Sequence, residues 1–206
     1  MSFSGCELQD SQFEQCIFIN CDFASVQFRQ VQFRNCEFYE KSTEQGCNFT
    51  FAVLQDCEFN HCDLTLCEFS RSEIYLSSLH ECQLTGANFQ GATATKIIGN
   101  SVELSDATIT DCNLAYANFT GSTMVEVDFS GCRMSHARLD GANLTGAILV
   151  DCELHNIEAD RVTLNHADLR GATLSGLDVR NIDMTGVKIN LDQAATLLEE
   201  IGVDVT

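Results

Sequence analysis

The stretch FSGCELQDSQFEQCIFINCDFASVQFRQVQFRNCEF, residues 3–38, repeats with a period of five. Every fifth residue is large and apolar, and we call this position the centre of a repeat. The centres of this stretch are Phe3, Leu8, Phe13, Phe18, Phe23, Phe28, Phe33 and Phe38. Side chains repeat every 3.6 residues on a helix and every 2.0 on a strand, so neither element alone gives this period. The chain is therefore expected to turn once per repeat.

The column of centres continues along almost the whole chain. It resumes at Phe49, one residue out of step, and reaches Phe89; a further run extends from Leu104 to Ile189. Thirteen of the fourteen phenylalanines lie on it, which leaves Phe51 as the exception. All twelve cysteines lie two residues before a centre, and ten of the thirteen glycines lie two residues after one. Glycine suits turns with positive φ. These patterns predict a solenoid with two inward columns and a corner after each repeat.

The segments CDF (21–23), ANF (87–89) and ANLTG (142–146) resemble the motif of the pentapeptide-repeat family. In that motif a small residue precedes Asp or Asn, Leu or Phe, a polar residue and often Gly. The resemblance covers Phe3 to Ile189. It implies an all-β fold, a right-handed quadrilateral β-helix with four repeats per coil, here followed by a short C-terminal α-helix. With coils about 4.8 Å apart, about nine coils would form a rod about 43 Å long. We expect a β-helix over residues 1–189 and a helix and tail over 190–206.

Composition and charge exclude several classes of function. Eleven Lys and Arg stand against thirty Asp and Glu in 206 residues, a net charge of −19, so direct binding of nucleic acid is not expected. There is no proline, as expected where nearly every backbone N–H is needed in a ladder. The N-terminal segment has neither a basic stretch nor an apolar run, and no stretch of about 18 apolar residues occurs, which favours a soluble, cytoplasmic protein.

The chemically reactive residues favour packing over catalysis. Cysteines five residues apart point to different walls of a coil and lack the spacing of a zinc site, and a reduced thiol packs as a small hydrophobe. Disulfides between stacked cysteines are geometrically possible but not expected in a reducing compartment. The five histidines lie at outward positions without a nucleophile motif. We therefore predict no enzyme, no catalytic residue, no metal and no cofactor.

The repeat fails in two places. Eleven residues separate Phe38 from Phe49 where two repeats would need ten, so Tyr39 to Gly46 is predicted to be an extruded loop. The segment 95–103 breaks the motif while keeping its length, and we predict a second loop there without an insertion. Loops on a rigid scaffold are common binding elements. A tolerated bulge is the alternative for each.

These details resemble the Qnr group of quinolone-resistance proteins. The resemblance rests on EFYEKSTEQGCNF (37–49), CDLTLCEF (62–69), LTGANFQGA (84–92) and the final MTGVKINLDQAATLLEEIGVDVT (184–206). It implies two projecting loops, a homodimer joined through the C-terminal helix, and bacterial DNA gyrase and topoisomerase IV as partners. The acidic rod would mimic DNA and protect the enzyme from fluoroquinolones. Immunity to another topoisomerase poison, or a generic interaction scaffold, are the alternatives.

Two sets of residues are predicted to make contacts. The partner-binding set combines the loops with outward-pointing apolar residues: Tyr39, Glu40, Lys41, Ser42, Thr43, Glu44, Gln45, Gly46, Phe51, Leu76, Lys96, Ile98, Asn100 and Tyr116. Asn190 and Gln193 predict the start of an amphipathic helix that Gly202 would end. Its apolar face either caps the last coil or joins a second chain, and the predicted dimerisation residues are Ala194, Leu197, Leu198, Ile201, Val203 and Val205.

Overall fold

The computed structural model describes residues 1–98, 102–174, 177, 179–200 and 202–204, and in them the chain winds into a four-sided β-helix. The predicted fold class is confirmed. Twelve short strands are assigned: β1 Glu7–Gln9, β2 Gln12–Glu14, β3 Gln27–Arg29, β4 Gln32–Arg34, β5 Tyr39–Glu40, β6 Gln45–Gly46, β7 Val53–Gln55, β8 Glu58–Asn60, β9 Ser78–His80, β10 Thr95–Ile98, β11 Val102–Ser105 and β12 Thr108–Thr110. Helix α1 spans Leu191–Glu200. No helix of the described residues is long and apolar enough to cross a membrane.

Successive coils pair in parallel, and four such ladders form the four faces of the rod. Face 1 is the series of bridges Ser2, Asp22, Asn48, Glu68, Asn88, Asn118, Arg138 and Glu158, one residue from each of eight coils. Faces 2, 3 and 4 follow in chain order, with ladders that begin at Glu7, Gln12 and Ile17. Strands β1, β3 and β7 belong to face 2, and β2, β4, β8, β9 and β12 to face 3.

The core is a set of side-chain stacks that run along the rod. On face 1 the rings of six phenylalanines stack with centroids 4.8 to 5.1 Å apart, one per coil: Phe3, Phe23, Phe49, Phe69, Phe89 and Phe119. This spacing equals the separation of neighbouring strands in a sheet, so one ring fits each coil without a gap. The centres and the small residues two positions before them are almost all buried.

Each coil turns its corners through left-handed backbone. In most repeats the residue two after a centre has φ between +50° and +78°, whether it is glycine, as at Gly141, or not, as at Leu66. An L-residue in this region costs about 1 to 2 kcal/mol, which explains why glycine collects there.

Both irregular segments are extruded hairpins, and the second corrects the sequence-based prediction. Bridges join residues 20 apart in most coils, but 26 apart across the first loop, as in Asp22 with Asn48. They are 30 apart across the second loop, as in Thr93 with Thr123. The first loop therefore adds six residues and the second adds ten. Because ten residues are two whole repeats, the second insertion leaves the period of five intact, and the prediction of an unchanged length was wrong.

Helix α1 begins and ends with hydrogen bonds that its sequence predicts. Asn190 and Gln193 exchange bonds between side chain and backbone, at 2.8 and 3.0 Å, in a capping box. At the other end, the N–H groups of Gly202 and Val203 reach the carbonyls of Glu199 and Leu198, a Schellman motif. The Nε2 group of Gln193 also donates to the carbonyls of Leu169 and Ala172, both at 2.7 Å. One side chain thus starts the helix and fixes it on the last coils.

Candidate functional site

The two loops leave the rod at diagonally opposite corners. Loop 1, Tyr39 to Gly46, lies between the face 4 centre Phe38 and the face 1 bridge residue Asn48, so it projects from corner 4–1. Loop 2, Thr95 to Ser105, lies between Thr93 of face 2 and Thr108 of face 3, so it projects from corner 2–3. A flat partner surface that contacts one loop cannot contact the other.

Loop 1 is a short hairpin with an exposed tip. Tyr39 and Glu40 pair with Gly46 and Gln45, and the four residues 41–44 form the turn. Glu40 Oε1 accepts hydrogen bonds from the backbone N–H and the hydroxyl of Ser42, at 3.0 and 2.8 Å. These bonds lower the pKa of the Glu40 carboxyl. Of the predicted contact residues of this loop, Lys41 to Gln45 are exposed, whereas Tyr39, Glu40 and Gly46 are half-buried.

A row of residues continues from loop 1 along the same corner. A Cβ on Gly46 would overlap the backbone of Leu66 and Cys67, so the returning strand of loop 1 lies directly on the next coil. A Cβ on Gly86 would stand 2.6 Å from Leu66 Cδ2, so the Leu66 side chain lies over Gly86. Tyr116 follows on the next coil and stacks on His136, with ring centroids 4.9 Å apart. We call these five residues, Gly46, Leu66, Gly86, Tyr116 and His136, the corner ridge.

The corner ridge exposes apolar surface and carries no carboxylate. Tyr116 is 60% exposed and Leu66 is 40% exposed. The other described residues of this corner, Asn20 and Asn156, are neutral too. Sequence reasoning selected Tyr116 but missed its relation to Leu66 and His136. A spacing of 20 would have put Tyr116 beside Lys96, and only the ten-residue insertion puts it after Gly86.

Loop 2 is held at its base on both sides. The Nζ group of Lys96 lies 5.7 Å from the centre of the Tyr75 ring and donates to Gln55 Oε1 at 3.3 Å. On the other strand, Ser105 Oγ donates to Glu126 Oε2 at 2.9 Å. The predicted contact Lys96 is thus exposed but engaged with face 2. The side chain of Ile98 and the whole of Asn100 lie outside the described residues.

The remaining predicted contacts are on other corners. Phe51 lies on corner 1–2, is 50% exposed, and has the guanidinium of Arg71 above its ring at 5.6 Å. Leu76 lies on corner 2–3 and is half-buried. The structure therefore divides the predicted set among three corners.

The carboxylates at the corners gather on one side of the rod. Six exposed acidic residues with positive φ flank face 3: Asp10, Asp56 and Glu126 on corner 2–3, and Glu81, Asp111 and Asp151 on corner 3–4. Glu58 and Asp128 lie between them on face 3 itself. We call these eight residues the acidic side. Outside loop 1, which carries Glu40 and Glu44, the described residues two after a centre include no carboxylate on corners 4–1 and 1–2.

Seven cysteines form one column along face 4. They are Cys16, Cys36, Cys62, Cys82, Cys112, Cys132 and Cys152, and Cys82 N donates to Cys112 Sγ at 3.3 Å across the second insertion. Burial raises the pKa of the Cys152 thiol to about 12, and that of Cys57 on another face equally. All twelve cysteines are free, and no group that could hold a metal ion occurs among the described residues. The column is therefore suited to packing and poorly suited to nucleophilic chemistry.

The C-terminal helix leaves part of its apolar surface open. Ala194 and Leu197 are half-buried, and Leu197 packs against the core of the rod. Leu191, Leu198 and Val203 are exposed, by 84%, 41% and 45%. Ile201 and Val205, also predicted at a dimer interface, lie outside the described residues. The helix thus both covers its own last coils and presents an apolar patch.

Comparisons with known proteins agree with this architecture. The profile of the family described as pentapeptide repeats matches in eight copies, over residues 2–39, 45–75, 77–115, 103–141, 112–151, 137–176 and 147–189. A trypsin-treated variant of QnrB1, described as a plasmid-mediated fluoroquinolone resistance protein, is 30% identical, with a TM-score of 0.90 over 100% of this chain and 99% of that one. Full-length QnrB1 is also 30% identical, with a TM-score of 0.87 over 98% of this chain and 100% of that one. A search of curated proteins found no match.

Proposed function

Because this chain belongs to the pentapeptide-repeat family, and within it to the Qnr group, we propose that it binds bacterial DNA gyrase and topoisomerase IV and protects them from fluoroquinolones. The observation that carries the proposal is the match to QnrB1 over the entire length of both chains, loops and C-terminal helix included. The protein acts by binding, without a cofactor.

The acidic side supports mimicry of DNA. Its carboxylates follow the rod axis at intervals set by the coils, and the rod as a whole carries a charge of −19. An enzyme that binds DNA presents a basic surface, and an extended row of carboxylates is complementary to it. Long-range attraction of this kind mainly accelerates association, and salt screens it.

The positions of the loops indicate how such an enzyme would hold the rod. Loop 1 and loop 2 project from opposite corners, so a partner that contacts both must surround the rod, as an enzyme surrounds a duplex. In this arrangement the bound rod occupies the DNA site, and the loops reach the protein walls. Binding there would disfavour or release the complex in which the drug traps cleaved DNA.

A homodimer through the C-terminus would extend the rod. The apolar patch of Leu191, Leu198 and Val203 lies at the end of the β-helix, where a second copy would bury it and shield the last coil. Two rods joined end to end would present the acidic side over twice the length.

Gyrase supercoiling in the presence of ciprofloxacin tests the proposal. We expect supercoiling to recover as the intact protein is titrated in, and the required concentration to rise with salt. A variant that lacks Glu40 to Gln45 retains the pentapeptide phase, since Tyr39 then leads into Gly46, and we expect it to protect weakly or not at all. Absence of protection by the intact protein at any concentration would refute the fluoroquinolone proposal and favour another poison or another partner.

A further inference from the structure

We propose that the corner ridge is the surface that holds the partner enzyme, and that the acidic side serves mainly to attract it. This inference rests on the proposed function and assigns separate tasks to two sides of the rod. It predicts that substitutions on the ridge accelerate dissociation, whereas substitutions on the acidic side slow association and change its dependence on salt.

The first argument is the composition of the ridge. The cores of protein interfaces are depleted in charged residues and enriched in aromatic ones. The ridge combines Tyr116, stacked on His136, with Leu66, and none of its five residues is a carboxylate, although Glu40 and Glu44 of loop 1 project from the same corner. By contrast, six corner carboxylates flank face 3. The ridge therefore offers exposed apolar side chains that carry no charge themselves, whereas the exposed Phe51 on corner 1–2 lies under the guanidinium of Arg71.

The second argument is the backbone under the exposed side chains. Leu66 and Tyr116 have φ of +54° and +61°, a region in which glycine and asparagine are far more favourable. Each thus holds a large apolar side chain in solvent at a position that disfavours it. The turn itself does not require either side chain, since glycine makes it at other corners such as Gly86 and Gly146, so their presence there points to function.

The third argument is continuity with loop 1. Gly46 lies against the backbone of Leu66, the Leu66 side chain covers Gly86, and Tyr116 follows on the next coil. The four steps from Gly46 to His136 span about 19 Å at the spacing of the coils. One partner of a standard interface buries about 800 Å² of its surface, and a strip of this length together with the loop fits within such an area. Loop 1 and the ridge therefore form one surface, and the enzyme that contacts the loop is its occupant.

The test compares four variants for binding to gyrase by surface plasmon resonance at several salt concentrations. Tyr116→Asn and Leu66→Asn remove the apolar group and place a residue that favours the left-handed backbone, so the fold is retained. We expect each to raise the dissociation rate roughly tenfold, as hot-spot residues do, with the slope of affinity against salt unchanged. His166→Asn is the matched control, since it removes a ring at φ +62° on the diagonal corner 2–3, and we expect wild-type rates.

Asp111→Asn, on the acidic side, completes the comparison. We expect a slower association rate and a shallower salt slope, with the dissociation rate nearly unchanged. If the wild type binds gyrase and both ridge variants dissociate at the wild-type rate, the ridge assignment is wrong and the proposed function stands. Absence of wild-type binding would overturn both. If Tyr116→Asn instead lowers the mass of the isolated protein in light scattering, the ridge joins two copies of this chain and the assignment is wrong.

Discussion

At the scale of single residues, contacts between neighbouring coils decide which side chains a position accepts. Gly46 shows this most directly, because its missing Cβ makes room for the backbone of Leu66 and Cys67. We expect Gly46→Ala to push loop 1 away from the ridge, since the opposing atoms are backbone and cannot rotate aside. Protection of gyrase should fall while the melting temperature drops by only a few degrees. Gly141→Ala is the control, because its Cβ meets nothing within 4 Å, although its φ of +64°, unlike that of Gly46, lies in the left-handed region and lowers the stability of an alanine there. Equal protection by both variants would contradict this explanation.

The ion pair of Asp168 predicts how stability depends on pH. Arg170 donates to both carboxylate oxygens, at 2.8 and 2.7 Å, and holds the pKa of the Asp168 carboxyl below its ordinary value of 3.8. A pKa lowered by folding gives stability that is full above the ordinary pKa and is lost as the pH falls through the folded-state value. We expect Asp168→Asn to lower the free energy of unfolding by about 1 kcal/mol near neutral pH.

Urea unfolding at neutral pH and near pH 2 measures this effect. The difference between the wild type and Asp168→Asn should shrink as the pH falls, because protonation of the wild-type carboxylate removes its ion pair with Arg170. The exposed Asp151 serves as the control, and Asp151→Asn should have little effect at either pH. If Asp168→Asn lowers the free energy of unfolding by the same amount at both pH values, the Asp168 side chain stabilises the fold by packing and not through its charge.

At the scale of elements, the period of five predicted the winding of the coils and the insertion at loop 1, but not the insertion at loop 2. The columns of Phe and Cys define which side chains point inward, and the capping residues Asn190, Gln193 and Gly202 define the helix. Loop 1 disturbs the phase by one residue and is visible in the sequence. Loop 2 adds two whole repeats, so its insertion does not disturb the phase and is not visible in the sequence. Which residues share a corner depends on both insertions, so neither the corner ridge nor the acidic side was predictable from spacing alone.

Deletion of Lys96 to Ser105 tests this account of loop 2. It joins Thr95 to Asp106 and restores the order of centre, corner and inward residue from Ala94 to Ile109. We expect the shortened protein to keep its far-ultraviolet circular dichroism spectrum and to melt within a few degrees of the wild type. Deletion of only Lys96 to Leu104 leaves one extra residue at the corner and should melt distinctly lower. If the two deletions melt alike, the loop is not a simple insertion between two repeats.

At the scale of the whole molecule, the rod has a defined end at helix α1, and the patch there predicts self-association. We expect the protein to have the mass of a dimer in light scattering at micromolar concentration. Leu198→Glu should convert it to a monomer, because a charge cannot be buried without a partner. Thr196→Glu, at an exposed site on the same helix, is the matched control and should remain dimeric. A dimer that survives Leu198→Glu would place the contact elsewhere.

The extrusion of loop 2 at a corner has an evolutionary consequence. Insertions and deletions usually damage a protein more than substitutions, because they shift every later contact. Here the two ends of an insert meet at a corner, and the next coil resumes against the previous one whether six or ten residues have been added. Loop length can therefore vary under selection while the rod is inherited unchanged. A lineage under selection to bind a new partner surface can adapt through these loops without first acquiring compensating changes in its core.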